Sequence, residues 1–112
     1  MARERLKTDL WVRAYLRRLE LANIPGYVTR RGQPDLGAVM VKCATLDGNA
    51  RLWARQTDLM TGTSGWQVLA EGPEPDVDAS AAKQRGFDPD LWLIEIESRE
   101  GRTLLDEDGL SD

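Results

Sequence analysis

Val39-Met40-Val41-Lys42-Cys43-Ala44-Thr45-Leu46-Asp47-Gly48-Asn49-Ala50-Arg51-Leu52-Trp53-Ala54-Arg55 is the stretch on which the fold turns. Val39, Val41 and Cys43 alternate with Met40, Lys42 and Ala44, the two-residue period of a strand with one buried face. Asp47-Gly48 accepts the positive φ of a tight turn, so residues 49–56 are expected to return as the antiparallel partner of residues 37–46. A two-residue loop pairs Cys43 with Leu52 and Val41 with Ala54 on one face. It pairs Lys42 with Trp53 and Met40 with Arg55 on the other. A register that sets Val41 against Arg55 and Cys43 against Trp53 mixes the faces. Burial of one face therefore selects the two-residue loop.

Working outward, residues 8–23 carry Val12, Leu16 and Leu19 on one side at helical spacing, with Trp11, Tyr15 and Ala22 beside them. Thr8 is the expected cap, Asp9 suits the first turn, and Asn23 with Pro25-Gly26 stops the helix. Residues 27–31 read as a short strand before the turn Gly32-Gln33-Pro34-Asp35. After the hairpin, residues 57–65 form a Gly/Thr-rich loop and residues 66–70 a strand. Residues 76–86 read as a second helix, capped by Asp76 or Asp78, with Ala79, Ala81 and Ala82 inside it. Residues 91–98 are a strand with Trp92, Ile94 and Ile96 on one face. Residues 103–105 are expected to add a short last strand.

The fold class read from this order is α+β: an N-terminal helix packed on an antiparallel meander, a second helix, and one or two C-terminal strands. Residues 1–105 form one domain and residues 106–112 an acidic, flexible tail. A chain of 112 residues suits a single domain, and 41% apolar with 30% charged residues argues against disorder. No apolar run approaches the roughly 18 residues of a membrane helix, and the amphipathic start is not a signal peptide. One Cys and no export signal point to a reducing, cytoplasmic setting.

Composition narrows the chemistry. With no His there is no Ser-His-Asp triad and no His-ligated metal, and one Cys excludes an internal disulfide. The net charge of −4 is uneven: residues 1–31 balance to +5, residues 32–70 to zero and residues 71–112 to −9. The two charged ends are expected to lie near each other and neutralise in part.

Three constellations remain. In the two-residue register, Lys42, Arg51, Trp53 and Arg55 share a face on which a base could stack and phosphate be held. The competing reading is a half-exposed Trp shielded by cation stems. Arg13, Arg17 and Arg18 form a stripe suited to an acidic partner or to the acidic end of a second copy. Asp88, Asp90, Glu95 and Glu97 are hard-oxygen groups that could hold Mg²⁺, although Glu95 and Glu97 also fit the outward positions of a strand. Cys43 reads as structural, and Thr61-Gly62-Thr63-Ser64-Gly65 lacks the P-loop ending. No catalytic residue and no cofactor are expected.

Leu6-Lys7-Thr8-Asp9-Leu10-Trp11-Val12, Arg30-Arg31-Gly32, Leu46-Asp47-Gly48 and Phe87-Asp88-Pro89-Asp90-Leu91-Trp92-Leu93-Ile94-Glu95-Ile96-Glu97 together resemble a family of short, chiefly alphaproteobacterial proteins classed as a domain of unknown function. The resemblance spans roughly residues 6–103 and implies a small stand-alone domain with no assigned activity. The expected role is a non-enzymatic binding or protein-interaction module, with itself or another protein as partner. The alternatives are a nucleic-acid binder on the basic, aromatic face and a carboxylate metal-dependent hydrolase or nuclease. No membrane partner is expected.

Overall fold

The computed structural model describes residues 6–111 of the chain. Helix α1 (Thr8–Leu21) and helix α2 (Glu74–Phe87) flank a sheet of β1 (Gly26–Arg30), β2 (Val39–Ala44), β3 (Asn49–Thr57), β4 (Ser64–Pro73) and β5 (Trp92–Glu97). The class is α+β, as expected. The sheet, however, is mixed rather than a meander. Its spatial order is β1-β5-β2-β3-β4, and β5 runs parallel to β2 while its other neighbour, β1, is antiparallel. The reason lies in α2. A parallel return needs a crossover of a dozen or more residues, and the α2 segment supplies it. It delivers Trp92, Ile94 and Ile96 to the middle of the sheet, where all three are buried.

The β1–β2 connection must then pass the end of β5. Gln33 N donates to Asp90 O at 3.0 Å, and Trp92 Nε1 donates to Gln33 O at 2.8 Å. A Cβ on Gly32 would run into the Asp90 backbone and the Trp92 ring, so this crossing requires glycine. The same connection caps α1. Thr8 N donates to Asp35 O at 3.1 Å and Asp9 N to Pro34 O at 2.9 Å. Thr8 is therefore not the side-chain cap: Lys7 holds the cap position, and Thr8 Oγ1 donates to Gly37 O at 2.7 Å. In α2, likewise, Pro73 holds the cap position in place of Asp76 or Asp78.

The hairpin register differs from expectation by one residue. Met40 faces Ala54, Val41 faces Trp53, Lys42 faces Leu52 and Cys43 faces Arg51. The loop is Leu46-Asp47-Gly48, closed by Thr45 N donating to Asn49 O at 3.2 Å. Asp47 Oδ1 accepts from Thr45 Oγ1 at 2.6 Å and from Asn49 N at 3.1 Å, which holds its carboxyl below the usual range. The face-segregation criterion failed because it assumed a single buried face. All six residues of β2 are buried, since β2 is central and a helix covers each side.

Two cores result. Tyr15 and Leu19 of α1 join Val41, Cys43, Ile94 and Ile96 on one face. Val77 and Ala81 of α2 join Met40, Ala50, Leu52 and Leu91 on the other. α2 is the weakly apolar helix the sequence suggested, with only Val77 and Ala81 buried. Residues 103–105 form no strand, but Leu104 and Leu105 are buried. Residues 106–111 do not hang free. Leu110 is 1% exposed and sits in the α1-side core, because three leucines in seven positions, 104–110, have apolar surface to bury. Among the described residues no helix is long and apolar enough to cross a membrane.

Two substitutions test this packing. Leu110→Ala is expected to cost about 2–5 kcal/mol in urea unfolding; a loss below about 0.5 kcal/mol, as at a surface site, would show the segment is not packed. Leu46 holds φ 62° in the hairpin loop with its side chain exposed. Leu46→Asn, which tolerates that conformation, should therefore raise stability by about 0.5–1 kcal/mol.

Candidate functional site

The one-residue shift in register separates the four residues expected to share a basic, aromatic face. Arg51, Trp53 and Arg55 alternate on the α1 side of β3, whereas Lys42 points to the α2 side of β2. Lys42 is almost fully buried and is surrounded by carboxylates: Asp78 Oδ1 at 2.6 Å, Glu74 Oε1 at 2.8 Å and Glu95 Oε1 at 3.3 Å. Burial by itself would lower the amine's pKa. Hydrogen bonds to Asp78 and Glu74, with the Glu95 charge, outweigh burial and raise it. The amine therefore stays charged, which suits a clamp between α2 and the sheet and not a nucleophile. Glu74 and Asp78 were missed as its partners, although their spacing of four on one helix was a legible signal.

The acidic constellation does not assemble. Asp88 lies at the end of α2, where its Oδ1 accepts from Asp90 N at 3.1 Å. Glu95 is farther along β5 and is engaged by Lys42 and by Thr29 Oγ1 at 3.4 Å. Glu95 and Glu97 are not open strand positions either: both are half-buried on the α2 side. Among the described residues no group of three or more His, Cys, Asp or Glu is arranged to hold a metal ion. Beside this cluster Tyr27, opposite Glu95, has its phenol pKa raised by burial and by the charges of Glu95 and Glu97.

The α1 side of β3 and β4 is more distinctive. The Trp11 ring stacks on Tyr15 at 5.0 Å and on Trp66 at 5.5 Å. The Arg55 guanidinium lies over Trp66 at 5.2 Å and over Trp11 at 5.7 Å, within cation–π range. Trp53 packs on the same core. The stripe Arg13, Arg17 and Arg18 divides: Arg13 and Arg17 border a shallow groove at the end of α1, while Arg18 turns to the chain's own acidic end. Its Nη1 donates to Asp108 O at 2.8 Å and lies 3.7 Å from Glu107 Oε1. The basic and acidic ends thus meet, as the charge balance suggested.

Residues 103–111 lie across this aromatic face as a strap without regular secondary structure. Tyr15 Oη donates to Thr103 O at 2.8 Å and Trp66 Nε1 donates to Leu110 O at 2.9 Å. Leu104, Leu105 and Leu110 supply the buried apolar contacts. The Nε1 atoms of Trp11 and Trp53 are buried with no hydrogen-bond partner among the described residues. Burial raises the pKa of the Tyr15 phenol, which stays neutral, and that of the Cys43 thiol, an effect Arg51 only partly offsets. Neither group is poised as a nucleophile. Arg51, Trp53 and Arg55 share a face as their alternation suggested, whereas Trp66 and the strap join it through contacts the sequence does not display, because a leucine-bearing acidic end reads as tail until its contacts are known.

A family model described as a protein of unknown function (DUF1491) matches residues 6–106. The crystal structure of a DUF1491 family protein from Caulobacter crescentus CB15 is 41% identical, covering 92% of this chain and 97% of that one, with a TM-score of 0.83. An NMR structure of a DUF1491 family protein from Caulobacter crescentus CB15 is also 41% identical, with 91% and 94% covered and a TM-score of 0.80. The solution structure of protein Atu0922 from A. tumefaciens is 27% identical, with 85% and 87% covered and a TM-score of 0.72. No curated protein matches the chain.

The Lys42 clamp makes stability depend on alkaline pH. Its pKa is higher folded than unfolded, so the folded state holds more protons between the two values. The contribution is complete below the unfolded pKa of about 10.4 and is lost as pH rises toward the folded value. Thermal melts at about pH 9 and about pH 11 should show a fall in Tm that Lys42→Met reduces; equal falls would remove the clamp from the account.

Proposed function

The chain belongs to the DUF1491 family, and we propose that it is a non-enzymatic protein-interaction module whose docking face is the aromatic side of α1, β3 and β4. The partner that fits is an acidic, leucine-bearing peptide segment of another protein. One observation carries this reading: the face already holds such a segment in cis, the chain's own residues 103–111. Burial of a leucine is worth roughly 1.5–3 kcal/mol, so Leu104, Leu105 and Leu110 supply most of the attraction. Arg18 supplies charge selection through Glu107 and the Asp108 carbonyl. Trp66 reads the ligand backbone through its indole N–H.

The face also keeps unused recognition capacity. A buried donor without an acceptor costs about 1–3 kcal/mol, and both Trp11 Nε1 and Trp53 Nε1 are in that state among the described residues. A partner segment that brings a carbonyl or carboxylate to either indole gains over the cis occupant. A nucleic-acid reading is weakened because Lys42 faces the opposite side and Trp53 is partly buried against the α1-side core. A metal-dependent hydrolase is weakened by the dispersed carboxylates. The buried, neutral Cys43 suits a reducing compartment, and the cytoplasm is the proposed location.

The test is titration of the full chain with a synthetic peptide carrying residues 102–112, followed by tryptophan fluorescence. A saturable change is expected, absent with a scrambled peptide of the same composition. Saturable binding of single-stranded RNA with no response to the peptide would replace this reading with the nucleic-acid one.

A further inference from the structure

We infer that residues 103–111 are an autoinhibitory strap: a cis occupant that gates the docking face and is released when a partner segment binds. The inference rests on the peptide-docking reading and adds its regulation. The strap differs from the rest of the fold in how it is held. It pairs with no strand, and its described hydrogen bonds to the body of the domain come from three side chains, Tyr15, Arg18 and Trp66. Its one ion pair to the body among the described residues, Arg18 with Glu107, is about half-exposed at both ends and so weakly held.

The backbone of the segment is also under tension. Gly101 at φ 70° and Gly109 at φ 84° are glycines suited to that region. Between them Leu104 is held at φ 63°, where a leucine is rarely found. The burial of its side chain keeps it there. Glycines near both ends supply natural pivots, and the strained Leu104 relaxes when the strap leaves. The indole N–H groups of Trp11 and Trp53 have no hydrogen-bond partner among the described residues, so a competing segment that offers an acceptor makes a contact the strap does not. Three buried leucines hold the strap, so it opens when a competing segment supplies the same apolar contacts and the strain at Leu104 is released.

Apparent affinity for a competing segment is the intrinsic affinity reduced by the fraction of molecules with the strap open. Loosening the strap must therefore tighten binding in trans without altering the face. The experiment compares the full chain, a chain ended at Leu105, and Glu107→Lys, each titrated with the peptide of residues 102–112 after circular dichroism confirms the fold. The shortened chain is expected to bind about tenfold tighter or better, and Glu107→Lys several-fold tighter, because the introduced ammonium repels Arg18 while the docking residues are intact. Glu107→Lys changes only a half-exposed side chain, so it reports even where the shortened chain fails to fold. Saturable binding of equal affinity in the full chain and Glu107→Lys overturns the gate and leaves the docking face standing. Absence of binding in every folded form overturns both.

Discussion

β2 and β5 lie side by side and parallel in the interior of the sheet, and the position of every other element follows from that pairing. Val39 sits beside Trp92, Val41 beside Ile94 and Cys43 beside Ile96, so one continuous apolar row is laid down across two strands distant in sequence. That row needs a cover, and α1 provides it. The parallel return needs a crossover, and α2 provides that while covering the reverse face. β1 then has a place only at the outer edge of β5, which forces its connection to β2 across the end of the sheet and allows that connection to cap α1.

The two faces solve the problem of covering differently. On the α2 side the helix is poor in apolar residues, and a buried lysine held by three carboxylates fastens it. In this clamp the hydrogen bonds and charges outweigh the desolvation of the amine, and their geometry fixes where α2 sits. On the α1 side the helix reaches only part of a five-stranded sheet. The remainder, lined by Trp53 and Trp66, is covered by an irregular strap. The helix is held by its own backbone hydrogen bonds and a buried face, whereas the strap has no regular structure and is held by three buried leucines and three side-chain hydrogen bonds. That irregular cover is what the proposed docking on the α1 side rests on.

Much of this architecture is readable in the residues alone. α1 was legible because its apolar residues repeat at helical spacing, and Trp92, Ile94 and Ile96 because they alternate. The charge polarity suggested that the ends meet, and Arg18 with Glu107 is that meeting. The candidate site was only half legible. Arg51, Trp53 and Arg55 do share a face, but Lys42 does not, since one residue of register carries every side chain to the other side of the strand. The choice of register rested on having one buried face, and a central strand has two.

By itself the sequence determined the periodic elements, the α+β class, the absence of histidine chemistry and the family to which the chain belongs. Those properties are local or compositional, and local patterns are what adjacent residues can encode. Only the tertiary structure decided that β5 enters between β1 and β2, that Lys42 is buried among Glu74, Asp78 and Glu95, and that residues 103–111 close over the tryptophans. Each of these joins residues dozens of positions apart. Their energy comes from burial and charge pairing that exist only once the chain has brought them together.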